Sequence, residues 1–89
     1  MVTNNESKRR FELQQDEGTS VADYVPAEGV LTITHVVVPV ALRGRGIASQ
    51  LAQGVVDYAR EHSLKLRPVC PFMVTYLERH PEHRDLVID

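Results

Sequence analysis

Two arginines alternate with two glycines at Arg43-Gly44-Arg45-Gly46, just after Pro39 closes a β-branched run and just before Ile47-Ala48-Ser49. The pattern is suited to cradling phosphate. Gly44 and Gly46 carry no Cβ, so the backbone there can turn tightly and come close to a ligand, and Arg43 and Arg45 add positive charge. The apolar periodicity downstream makes the stretch the entry of a helix. The first N–H groups of a helix lack intrahelical partners and its dipole is positive at that end, so backbone donors can take a pyrophosphate. Ser49, in the first helical turn, supplies a hydroxyl for a phosphate or for capping the helix.

Two common phosphate loops do not fit. The dinucleotide fingerprint needs three glycines after a parallel strand and an acidic residue about 20 positions on; here there are two glycines and too little chain for a doubly wound sheet. The P-loop needs Lys-Ser/Thr after its second glycine, whereas Gly46 is followed by Ile47 and Ala48.

Other groups able to do chemistry are few. Cys70 precedes Pro71, a favoured first residue of a helix. It is a candidate nucleophile or acid, with a small buried hydrophobe as the alternative. His35 is a candidate base on a β-branched strand, or a satisfied structural histidine. His62, His80 and His83 lack the spacing of a zinc site and no second cysteine completes one, so no metal is expected.

The elements that must position these groups follow from periodicity. Phe11 and Leu13 alternate with Arg10, Glu12 and Gln14, which predicts a strand with one buried face. Asp16-Glu17-Gly18 turns the chain into a second strand, Thr19 to Val25, ended by Pro26. After Glu28-Gly29, Val30 to Val38 is the strongest β stretch and the expected central strand. From Gly44 to about His62 the recurrence of Ile47, Leu51, Val55 and Tyr58, with Ala48, Ala52, Val56 and Ala59 beside them, predicts the main helix. Leu64 to Cys70 reads as a short strand. A second helix from Pro71 presents Phe72, Met73, Tyr76 and Leu77 before Pro81 stops it, and Leu86-Val87-Ile88 is an apolar tail available to dock or pair. Residues 1–7 are polar, without apolar periodicity, and are expected to be a frayed, disordered lead-in.

The chain of 89 residues suits one domain with a modest core. A net charge of −2 and a pI near 6.0 give no overall field for a polyanion, so nucleic acid and anionic membrane are not expected partners. One cysteine forms no internal disulfide and fits a reducing compartment, the cytoplasm by default. No apolar run approaches the ~18 residues of a membrane span, and the N-terminus lacks the apolar segment of a signal peptide.

Arg43, Gly46 and Ala48 meet the pattern Arg/Gln-x-x-Gly-x-Gly/Ala, which resembles the acyl-CoA pyrophosphate loop of the GNAT superfamily of N-acetyltransferases. Thr34-His35-Val36-Val37-Val38-Pro39, the loop, Leu66-Arg67-Pro68-Val69-Cys70-Pro71-Phe72 and Tyr76 to Val87 together resemble a small single-domain GNAT subfamily over nearly the whole chain. The resemblance implies an α/β fold with a mostly antiparallel sheet and two main helices. It implies a split between the central strand and the next. There the backbone of Val36, Val37 and Val38 pairs with pantetheine as an added strand would. It further implies acetyl-CoA held by Arg43, Gly44, Arg45, Gly46, Ile47, Ala48 and Ser49, with Phe72 and Arg79 near the cofactor. Tyr76 lies near the place of a proton donor to the departing CoA thiolate. The acetyl group would pass to a primary amine by direct attack, in a monomer or weak dimer. The alternative is a CoA-binding or acyl-CoA-sensing module with little or no turnover. The subfamily often carries a Glu between His35 and the proline; here Val36-Val37-Val38 leaves that strand without a carboxylate base.

Overall fold

The computed structural model describes residues 1–88. In chain order the elements are β1 (Val2–Asn5), β2 (Arg10–Gln15), β3 (Gly18–Ala27), β4 (Val30–Val37), α1 (Ile47–Glu61), β5 (Lys65–Pro68) and α2 (Pro71–Glu78). Short 3-10 turns span Glu6–Lys8, Val40–Leu42 and Pro81–Leu86. The strands form one sheet in the order β1-β2-β3-β4-β5, antiparallel except for the last, parallel pair. The expected order of hairpin, long strand, glycine loop, helix, strand and helix is present.

The period-2 pattern does what it predicts. Phe11 and Leu13 of β2, Ala22 and Tyr24 of β3 and Leu31 and Ile33 of β4 are buried on one face, beneath α1. Ile47, Leu51, Ala52, Val55, Val56 and Ala59 form the buried stripe of α1 and complete the core with Leu66, Met73, Tyr76 and Leu77. The other sheet face is exposed at Val25, His35 and Val37. Among the described residues, no helix is long and apolar enough to cross a membrane.

Three local expectations are corrected. Residues 1–7 do not fray: Val2–Asn5 pairs with β2 in the register Val2↔Leu13 to Asn5↔Arg10, and Asn5 caps the following 3-10 turn. Polar side chains hid this strand, because its inward contacts are one valine and the Asn4 side chain, which accepts a 2.6 Å hydrogen bond from the Tyr24 hydroxyl. Pro26 does not end β3, which runs to Ala27. Pro26 pairs with Leu31 of β4 on one side. On the other, the last β2–β3 pair is Arg10↔Asp23 and the Tyr24 N–H still donates to the Arg9 carbonyl. The missing N–H of Pro26, two residues on, therefore falls beyond the end of β2 and costs no ladder bond. α1 begins at Ile47 rather than Gly44, because Gly44 and Gly46 adopt φ of 82° and 74°, outside the helical region. The apolar tail both docks and pairs: Leu86 is buried, Val87 bridges to Leu66, and the Ile88 N–H donates to the Leu66 carbonyl at 2.9 Å.

β1 docks on α1 where Gly54 leaves room. A Cβ built on Gly54 lies 2.7 Å from Val2 Cγ1, inside van der Waals contact. Alanine would ordinarily favour a helix over glycine by about 1 kcal/mol, but here it must push β1 aside, and such overpacking costs about 1–3 kcal/mol. Gly54→Ala is therefore expected to lower stability in urea melts, and adding Val2→Gly should restore it. A single variant more stable than wild type would show that β1 does not rest on α1.

Candidate functional site

The site begins with a strand that loses its neighbour. β4 pairs with β5 from Val30↔Lys65 to Ile33↔Pro68 and no further. The Ile33 carbonyl accepts from the N–H groups of both Val69 and Cys70, at 3.0 and 3.1 Å, and Pro71 then turns the chain into α2. β4 continues to Val37 alone on that side. A bulge marks the same place: Tyr24 faces Ile33 but Asp23 faces His35, so Thr34 is an extra residue. A bulge changes which side chains face inward, and after Leu31 and Ile33 the core-facing residues become Val36 and Val38. The even run of β-branched residues in Val30–Val38 concealed this shift.

The free end of β4 leads through Pro39 and the 3-10 turn into the glycine loop. Gly46 is the N-cap of α1 and offers no side chain to cap it, and the first intrahelical bond there runs from the Gln50 N–H to the Gly46 carbonyl at 3.1 Å. The N–H groups of Ile47, Ala48 and Ser49 thus have no intrahelical acceptor. Because Gly46 is the cap, Ser49 is not. A Cβ built on Gly44 or Gly46 meets nothing within 4 Å, so both glycines border open space.

Strand end, loop and helix start enclose a groove of about 560 Å³ lined by Val36, Val37, Val38, Leu42, Arg43, Gly44, Gly46, Ile47, Ala48, Ser49 and Phe72. That size is ordinary for a small-molecule site. The residues suit a CoA thioester: an unpaired strand edge for amide groups, a positive helix start with free N–H donors for the pyrophosphate, and Phe72 with the valines as apolar walls. Leu42 was missed in the sequence; it is buried beneath the loop, and only its apolar character within Val40-Ala41-Leu42 hinted at it.

Two expected cofactor residues lie apart from the groove lining. Arg45 forms a 2.8 Å ion pair with Glu17 in the β2–β3 turn, and Arg79 is an exposed residue closing α2, its N–H donating to the Thr75 carbonyl at 3.0 Å. Arg43 lines the groove, but its Nε donates to the Val38 carbonyl at 3.1 Å. In this state the cradle offers mainly backbone donors.

The candidate catalytic residues are also dispersed. Tyr76 is buried between α2 and α1, donates its hydroxyl to Gln53 Oε1 at 2.9 Å, and stacks on His80 with ring centroids 4.1 Å apart. Burial, followed by the negative charges of Glu82 and Asp57, raises the Tyr76 phenol above its usual range, so it stays protonated. Its proton is directed at Gln53, and Tyr76 does not line the groove. His35 is exposed on β4 opposite Asp23, which excludes a buried structural role. Cys70 is the N-cap residue of α2 and is half-buried against the core, at the closed end of the split rather than in the groove wall. Among the described residues, no three His, Cys, Asp or Glu side chains gather to hold a metal ion.

Comparison with known proteins agrees with this geometry. The Protein NATD1 of Mus musculus is 30% identical over 84 residues, covering 90% of this chain and 76% of that protein. The Xenopus tropicalis protein of the same name is 31% identical over the same shares. The solution structure of a GCN5-like putative N-acetyltransferase from Staphylococcus aureus superposes with a TM-score of 0.76 at 25% identity, covering 99% of this chain and 87% of that one. The family model described as GCN5-related N-acetyl-transferase matches residues 10–86, and with the split sheet and the glycine loop at its edge the chain belongs to that family.

Proposed function

We propose that this chain binds acetyl-CoA in the groove beside the free end of β4 and passes the acetyl group to a primary amine by direct attack. The observation that carries the reading is the meeting, in one groove, of an unpaired strand edge with a helix start that no side chain caps. When bound, the thioester supplies an activated acetyl group. The chain's own contribution is to orient it: the backbone from Val36 to Val38, at the free end of β4, fixes direction, the N–H groups at the start of α1 hold the phosphates, and Phe72 and the valines form the apolar walls. Among the described residues no carboxylate lines the groove, so transfer would depend on positioning more than on a strong base.

That same lack of a carboxylate favours a second reading, a CoA-binding module with little or no turnover. One experiment separates the two. Labelled acetyl-CoA incubated with the protein and a panel of polyamines, peptides and cell extract should give a labelled amide, and amide-resonance shifts on adding CoA should cluster at residues 36–38 and 43–49. Shifts without transfer support the binding module; neither shifts nor transfer defeats both readings.

A further inference from the structure

We propose that Glu17, in the turn between β2 and β3, sets the affinity of the groove for its phosphate-bearing ligand by holding Arg45 away from it. The inference rests on the reading of the groove as a CoA site, and it concerns a residue that does not line that groove.

The geometry is local. Glu17 Oε2 meets Arg45 Nη1 at 2.8 Å across 28 residues of sequence. The turn that carries Glu17 is itself seated: a Cβ built on the next residue, Gly18, would lie 3.0 Å from Pro39 Cγ, so the turn packs against the point where β4 leaves the sheet. Arg45 sits between Gly44 and Gly46, which both border the groove. Its guanidinium is engaged by the carboxylate instead of facing the place where phosphates would lie. Arg43 is likewise engaged, by the Val38 carbonyl. Ligand binding that uses Arg45 must exchange one anion for another, and the ion pair subtracts from the affinity the loop would otherwise have.

The size of the effect follows from exposure. The side chains of Arg45 and Glu17 are 56% and 41% exposed, and exposed ion pairs are weak. Removing the competing carboxylate should therefore tighten CoA binding by about two- to five-fold. The hydrogen bond from Arg45 holds the Glu17 carboxyl below its usual range in the free protein.

The test is a CoA titration of wild type, Glu17→Gln, Arg45→Ala, the double variant and Asp16→Asn. Glu17→Gln should bind about two- to five-fold more tightly, the gain should vanish when Arg45 is already alanine, and Asp16→Asn, an equal charge change in the same turn, should bind like wild type. A gain that persists without Arg45, or that Asp16→Asn reproduces, would show a general charge effect and overturn the proposal, as would unchanged affinity in Glu17→Gln. A second measurement needs no CoA: in the free protein the Glu17 carboxyl, followed by NMR, should titrate below an ordinary glutamate and rise toward it in Arg45→Ala. If CoA binds none of the proteins, the CoA reading falls, while an ordinary Glu17 titration would separately overturn the ion pair.

Discussion

Gly46→Val is expected to abolish CoA binding, weakening it more than about 100-fold, or about 2.7 kcal/mol, while the protein remains folded. Gly46 has φ of 74° and is the N-cap of α1. A Cβ there meets no protein atom within 4 Å, so what a side chain would occupy is the space a ligand would use beside the helix start. Valine also dislikes this backbone region, at a cost of roughly 1–2 kcal/mol, so the variant combines obstruction with strain. Gly46→Asn separates them, because asparagine tolerates positive φ yet still carries a Cβ. Comparable losses in both variants point to obstruction; a loss confined to valine points to strain. Arg45→Ala should weaken binding by only a few fold, since its guanidinium is paired with Glu17 in the free protein. Calorimetric titration measures the affinities and circular dichroism the fold. Equal affinity in wild type and Gly46→Val would remove the backbone cradle from the function.

Why the loop was legible and the rest of the site less so has a physical answer. Gly44 and Gly46 announce a backbone that must take positive φ, and the apolar stripe from Ile47 to Ala59 announces the helix that follows. Both signals are local in sequence. The split is not: it depends on where β5 stops pairing with β4, and that is set by Pro71 turning the chain into α2 and by the bulge at Thr34. Family resemblance supplied the split; the residues did not. β1 was hidden for a similar reason, since its docking depends on Gly54 some fifty residues away. The partners of the arginines are not legible either: the sequence places Arg43 and Arg45 in the loop, and no rule of spacing tells that the Val38 carbonyl and Glu17 engage them in the free protein.

The dispersal of Tyr76, His35 and Cys70 bears on chemistry. Tyr76 donates to Gln53, and His35 lies on the exposed sheet face. Neither lines the groove. Only Cys70 stands where the split closes, its N–H joined to the Ile33 carbonyl at 3.1 Å. Of the residues at that closed end, Ile33, Thr34, Val69 and Cys70, it alone carries a thiol.

Cys70→Ala is therefore expected to keep its CoA affinity and to lose about 10²-fold in acetyl transfer, the lower end of the range for a general acid. In direct attack the acceptor nitrogen bonds to the thioester carbonyl carbon, the carbon–sulfur bond breaks, the nitrogen gives a proton to solvent and the departing sulfur takes one up. A thiol at the closed end of the split can supply that last proton. Direct attack also predicts that wild-type protein mixed with acetyl-CoA alone gains no acetyl mass. Were Cys70 a nucleophile instead, intact mass would show an added acetyl group before any amine is present, and the amine would discharge it. Cys70→Ser helps to distinguish the roles, because a hydroxyl retains a donor at the same place: partial recovery of rate relative to alanine fits an acid, and a rate as low as alanine fits a nucleophile. The nucleophile also requires a stable adduct, so an adduct on Cys70 that added amine removes would overturn direct attack. An alanine variant turning over at the wild-type rate would leave Cys70 as packing against the core and solvent as the proton source.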